Sequence, residues 1–187
     1  MKQIKATRIL GVDPGTNVLG WAVIEVFQKQ VRMIGIGTLR MSKDASQPEK
    51  LKEIFVGVSD IIGKFKPQVM AIEAPFYGNN VQSMLKLGRA QGVSIAAAMN
   101  KELDVFEYAP KKIKQSITGS GNAAKEQVSA MLEQILRVSL KEQPLDATDG
   151  LATAVCHYFQ STSVLGSTKR YSGWDAFIKD NPKRTKS

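Results

Sequence analysis

The sequence has a single cysteine, Cys156, and a single histidine, His157. One thiol excludes an intrachain disulfide framework and a multi-cysteine zinc site. It also fits a reducing, cytoplasmic compartment. Long apolar runs are missing, and the longest ones are far too short to span a bilayer. Met1 to Arg8 carries three basic residues, but no apolar stretch of signal-peptide type follows them. Acidic residues are in short supply: 17 against 26 lysines and arginines, giving a net charge of +9. What remains is ordinary for a soluble globular protein, with 43% hydrophobic and 23% charged residues. A length of 187 residues suits one domain with a sizeable core better than two.

The positive excess is unevenly placed. Residues 109–125 carry four basic side chains and no acidic one, and residues 161–187 carry six basic and two acidic ones. These two stretches contain nearly all of the surplus. Charge gathered in loops and a tail suits a polyanionic partner, although composition alone also describes a generic basic protein.

Hydrophobic patterning divides the chain into alternating elements. Thr7 to Asp13 reads as a buried strand, and Pro14-Gly15-Thr16-Asn17 as a turn. Val18 to Phe27 and Val31 to Met41 read as a hairpin continuing antiparallel from it. Leu51, Ile54, Phe55, Val58, Ile61, Ile62 and Phe65 recur at helical spacing, with Pro48 at the start and Pro67 past the end. Val69 to Glu73 is a second buried strand and Leu103 to Tyr108 a third. Between them Val81, Met84, Leu85, Gly88, Gly92, Ile95, Ala96 and Met99 mark one face of a long helix, where Gly88 and Gly92 allow another backbone to approach. Pro110 opens a short helical turn, and Ile117 to Asn122 is expected to be a mobile loop. Helices follow with Val128, Met131, Leu132 and Ile135 on a core face, and from Asp146 to Phe159. The order predicts an α/β fold: a mixed five-stranded sheet with helices on both faces. One domain is expected over residues 1–160, and a basic, weakly ordered tail over 161–187.

Four acids stand where chemistry can use them. Asp13 and Glu73 end two strands, and parallel neighbours would bring them to one edge of the sheet, where ligands gather. Asp146 and Asp149 are three apart at the start of the last helix and share a face. Hard divalent cations take such oxygen ligands. Each acid also has a plainer reading. Asp13-Pro14-Gly15 is good turn chemistry, and Asp146-Ala147-Thr148-Asp149 has the form of an N-cap with an acid at N3. Glu73 resists that treatment, because a carboxylate finishing a run of Val, Met, Ala and Ile is costly to bury without a partner. His157 lies eight residues past Asp149, about 12 Å along a helix, too far to join the same site. With Cys156 it reads as a packing residue.

The segments Ile9-Leu10-Gly11-Val12-Asp13-Pro14-Gly15-Thr16, Ala71-Ile72-Glu73, Leu85-Lys86-Leu87-Gly88, Phe106-Glu107-Tyr108 and Asp146-Ala147-Thr148-Asp149-Gly150-Leu151-Ala152 resemble the motifs of the RuvC family of Holliday-junction resolvases. They fall in family order over about residues 8 to 158. The resemblance implies a ribonuclease-H-like fold and a homodimer acting on four-way junction DNA in recombination and repair. It implies paired symmetric nicks with 5′-phosphate and 3′-hydroxyl ends. It also implies two Mg²⁺ ions per site, with Mn²⁺ as a substitute, on Asp13, Glu73, Asp146 and Asp149; some members carry His at the position of Asp146. The branch-migration complex of RuvA and RuvB is the implied protein partner.

Lys111, Lys112, Lys114 and Lys125 flank Gly119 and Gly121. Each reads either as a phosphate contact or as a solvated surface lysine. By resemblance, Lys114 and Lys125 lie near the scissile phosphate, and Lys125 is expected to neutralise charge in the transition state. Phe76, three residues past Glu73, either stacks on an unpaired base, as the resemblance implies, or tucks onto the core. Pro75 and Tyr77 beside it depart from the family's pattern.

Three rivals are weighed against the resolvase. Gly11 to Thr16 also looks like the phosphate turn of actin-like sugar kinases, but that fold needs two such domains and an adenosine site. A catalytically silent DNA-binding module would have no reason to keep four repelling carboxylates. A related RNA-processing nuclease differs only in substrate.

Overall fold

A computed structural model describes residues 6–75 and 80–162. In chain order the elements are β1 (Thr7–Asp13), β2 (Val18–Phe27), β3 (Gln30–Arg40), α1 (Gln47–Phe65), β4 (Val69–Glu73), α2 (Val81–Met99), β5 (Asp104–Tyr108), α3 (Pro110–Thr118), α4 (Lys125–Leu136) and α5 (Leu145–Thr162). The five strands form one sheet in the order β3-β2-β1-β4-β5. β1 and β2 pair antiparallel, as do β2 and β3, whereas β1–β4 and β4–β5 are parallel.

β1 is central and its apolar run is continuous because both faces are covered. Leu10 and Val12 enter the core under α1 and α2, with Ile54, Val58, Ala90 and Ala97. Ile9 enters the opposite core, under α3, α4 and α5, with Ile113, Leu132, Leu151 and Val155. β4 divides in the same way, Met70 and Ile72 to one side and Ala71 to the other. Burying each large aliphatic side chain contributes about 1.5–3 kcal/mol, so both faces of this strand pair stabilise the sheet. The β2–β3 hairpin turns through Gln28 and Lys29, both at positive φ (49° and 66°), the geometry of a two-residue loop matched to strand twist. The Tyr158 hydroxyl braces this turn by donating to the Lys29 carbonyl at 3.1 Å.

Three glycines let α5 lie directly on the sheet. A Cβ on Gly20 would run into the Asp146 carbonyl, and one on Gly11 into the Gly150 carbonyl. A Cβ on Gly150 would come within 2.8 Å of the Trp21 backbone. Helix and strands therefore touch backbone to backbone, and the first turn of α5 is held over the ends of β1 and β2.

Several expectations need correction. The helical turn at Pro110 is a nine-residue helix, and only Gly119, at φ 80°, ends it. Ile117 is thus a buried helical residue and no part of a loop. β5 is no buried strand: it pairs only with β4, and Phe106 on it is 44% exposed. Ile95 of the apolar stripe of α2 packs against the core, but most of the stripe does not. Val81, Leu85 and Met99 are exposed, and the helix packs instead through Ala90, Gln91, Ser94, Ala97 and Ala98. Around Gly88 and Gly92 an added Cβ would meet nothing within 4 Å. Among the described residues, close backbone approaches occur at Gly11, Gly20 and Gly150, while the space beside Gly88 and Gly92 is open. Phe76 and the tail beyond Thr162 lie outside the described residues.

Candidate metal and nucleic-acid site

The parallel register sets Val12 beside Ile72, so Asp13 and Glu73 follow side by side at the carboxyl ends of β1 and β4. Each end is anchored. Asp13 is paired with Gly20 of β2, and Glu73 with Tyr108 of β5, whose carbonyl accepts from Ala74 N–H at 2.9 Å. The third contributor is α5. Its first turn starts on the Pro144 carbonyl, which accepts from Thr148 N–H at 3.2 Å. Asp146 is therefore inside the helix, and the N-cap reading of Asp146 does not hold. Asp146 and Asp149 both lie within electrostatic reach of Asp13, and Asp149 within reach of Glu73. All four acids are half-buried.

That crowding has a measurable consequence. Burial first, and then the Asp149 carboxylate, push the Asp13 carboxyl up to about 7, against the pull of Lys125. Burial and the neighbouring Asp13 push Glu73 up to about 8, with Lys125 and Lys114 opposing. Lys125 opens α4, whose first turn is fixed by Gln127 accepting from Ala124 N–H at 2.9 Å. From there Lys125 Nζ donates to Asp149 Oδ2 at 2.5 Å. The hydrogen bond to Asp149 holds its ammonium above the ordinary lysine range.

The lysines divide accordingly. Lys125 and Lys114 act on the acids, whereas Lys112 lies beside Cys156, whose thiol meets its carbonyl at 4.0 Å. Lys111 is exposed on the first turn of α3, its backbone close to Gly121. Cys156 and His157 are buried. His157 Nδ1 shares a 2.9 Å hydrogen bond with the Tyr108 hydroxyl and its ring packs on Phe106, as befits packing residues. Sequence reasoning missed the Lys125–Asp149 pair and the three glycines beneath α5. The signal available was weak: a lysine at a helix start, where the dipole disfavours it.

Among the described residues, no three acidic, histidine or cysteine side chains already converge as a metal-ligand cluster. The donor set still suits a hard cation. It consists of oxygens only, and burial and neighbouring carboxylates raise two of its carboxyls, Asp13 to about 7 and Glu73 to about 8, a repulsion that a bound cation would relieve.

A pH prediction follows. Asp13 and Glu73 have folded values above their ordinary 3.8 and 4.5, so the metal-free folded chain binds more protons than the unfolded one between those limits. The stabilisation is complete below about pH 4 and is lost as pH rises through about 7 to 8. In EDTA the urea-unfolding midpoint should fall over that rise, and the double amide variant Asp13→Asn/Glu73→Gln should flatten the curve. A midpoint that climbs instead would contradict the geometry.

The sequence profile described as crossover junction endodeoxyribonuclease RuvC matches residues 9–157. The chain is 56% identical to the protein of that name from Cytophaga hutchinsonii, over 96% of this chain and 88% of that one. It is 51% identical to that of Christiangramia forsetii, over 97% and 94%. Among solved structures it is similar to T. thermophilus RuvC in complex with Holliday junction substrate, with TM-score 0.77 and 29% identity over 83% of this chain and 94% of that one. The yeast mitochondrial Holliday junction resolvase Ydc2, at TM-score 0.60 and 14% identity over 80% and 77%, shares the fold. Sheet order and helices on both faces make this a ribonuclease-H-like α/β protein with its acids at the strand ends. The chain belongs to the RuvC family of crossover junction endodeoxyribonucleases.

Proposed function

We propose that this protein resolves four-way DNA junctions by paired, symmetric nicks, leaving 5′-phosphate and 3′-hydroxyl ends. The observation that carries the reading is that Asp13 and Glu73 end adjoining strands, with Asp149, paired to Lys125, in electrostatic reach of both and Asp146 in reach of Asp13. Nucleases of this family are metal-dependent. Here the four acids would hold Mg²⁺, as two ions, and Mn²⁺ fits the same donors; such ions activate water and neutralise charge at a phosphodiester. The chain's own residues do the rest. β1, β4 and α5 hold the carboxylates in place, so little reorganisation is needed when the backbone of a strand arrives. Lys125 and Lys114 bring positive charge to the same place, which favours a phosphate with added negative charge over the ground state. Lys111 and Lys112 extend that field along the duplex, and Phe76 is proposed as the base-stacking residue.

The homodimer is supported by α2. Val81, Leu85, Gly88, Gly92, Ile95 and Met99 follow one another at alternating steps of four and three residues, the spacing of a helix–helix seam. Most of that stripe is uncovered within the chain. Two-fold symmetry then presents two sites to two symmetry-related strands. Family membership supports the branch-migration complex of RuvA and RuvB as partner and the bacterial cytoplasm as the compartment. No described helix is long and apolar enough to cross a membrane.

The test is cleavage of a synthetic four-way junction in Mg²⁺, beside linear duplex of the same sequence and an RNA–DNA hybrid. Ligatable nicks in opposed strands of the junction alone are expected. Cutting confined to the hybrid would move the protein to RNA processing, and junction binding without cleavage in any divalent metal would make it a silent module.

A further inference from the structure

We propose that Lys125 is the resident counter-ion of the carboxylate site and surrenders Asp149 to a divalent cation when one enters. The inference rests on the reading of the four acids as the metal-holding set. Lys125 and Asp149 are 24 residues apart and belong to different helices, yet the ammonium sits 2.5 Å from Asp149 Oδ2. A lysine at the first position of α4 works against the positive end of the helix dipole. Glu126 shares that first turn, yet the ion pair Lys125 makes is with Asp149 of α5. The same ammonium acts on Asp13, Asp146 and Asp149, so one charge serves several repelling carboxylates.

The two partners differ in freedom. The Lys125 side chain is 56% exposed, and that of Asp149 23%. Asp149 is carried by α5, which the sheet glycines hold close. Lys125 has a flexible four-carbon stem and a compact charge, so it is the member that can leave. An ion pair this open to water is weak, and a divalent cation brings twice the charge to the same oxygen. Once released, the ammonium is still at the site, ready for the phosphate. Lys125 thus has two successive partners: Asp149 before the cation arrives, and the substrate's phosphate after it.

The exchange makes Lys125 a competitor of the metal, which separates binding from catalysis. Mn²⁺ binding to the DNA-free protein, followed by electron paramagnetic resonance or calorimetry, is the test. Lys125→Met should bind Mn²⁺ about two- to fivefold more tightly than wild type, the range set by an exposed ion pair, while junction cleavage falls. Lys125→Arg, which keeps the charge, should bind Mn²⁺ close to wild type. Asp149→Asn should bind it more weakly. The Lys125 side-chain amine resonance of the wild type should move as Mg²⁺ is added, in step with binding. Unchanged or weaker Mn²⁺ binding by Lys125→Met, with Asp149→Asn still impaired, overturns the exchange alone. Undiminished binding by Asp149→Asn overturns the assignment of the acids, and the exchange with it.

Discussion

Asp13→Asn should lower junction cleavage by at least about a hundredfold, the scale set by removing one preorganised electrostatic group, while junction binding survives. The amide keeps the shape and the burial of the side chain and removes only the charge. That charge is one the site carries poorly without a cation, since burial and Asp149 push its carboxyl up to about 7. Removing it relieves repulsion on Glu73, so the metal-free variant should unfold at a temperature equal to or above that of wild type. A folded, junction-binding protein that no longer cuts is therefore the expected result. Gel shifts in EDTA and nicking in Mg²⁺, read on the same preparation, decide it. A variant that nicks at the wild-type rate would sink the role of Asp13. The amide variants of Glu73 and Asp149 should behave alike, because both belong to the same mutually repelling set.

Gly92→Leu should convert the protein to a monomer without unfolding it. Among the described residues an added Cβ at 92 meets nothing within 4 Å, so no contact between them is lost. Helix propensity favours leucine over glycine by roughly 0.5–1 kcal/mol. Two interior glycines on an outward stripe with Val81 (61% exposed), Leu85 (51%) and Met99 (60%) are hard to explain for an isolated chain, since each weakens its own helix. In the proposed dimer a second α2 laid against them would give the reason: without side chains there, two helices would approach closely. Leucine would hold them apart. Sedimentation should show the wild type as a dimer at micromolar concentration and the variant as a monomer of equal or greater thermal stability. Its nicks in a four-way junction should become single and uncoupled. A dimeric Gly92→Leu protein would remove α2 from the interface.

These two predictions draw on different kinds of information. The acids that end β1 and β4 were legible in the chain because burial leaves a mark on composition. A strand covered on both faces is a run of Val, Ile, Met and Ala, and a carboxylate closing such a run stands out. Element type followed from the same source. The proline in the first turn of α1 and the one after the helix, the 3.6-residue spacing of Ile54, Val58, Ile61 and Ile62, and the hairpin of β2 and β3 are local properties of the backbone and its side chains. Less was legible at α2 and β5. An apolar stripe looks the same whether it meets the core or another molecule, and Leu103 to Tyr108 has the pattern of an inner strand although only β4 lies beside it.

The sequence by itself determined the succession of strands and helices and the positions of the four acids within it, because hydrophobic periodicity and helix spacing act over a few residues. Only the tertiary structure decided which charges meet. Lys125 reaches Asp149 because α4 and α5 pack on the same face of the sheet, and no spacing within the chain encodes that distance. It also decided which glycines matter. Gly11, Gly20 and Gly150 are ordinary residues of two strands and a helix until α5 settles backbone to backbone on the sheet. That close approach brings Asp146 and Asp149 within electrostatic reach of Asp13, a proximity that no spacing along the chain encodes.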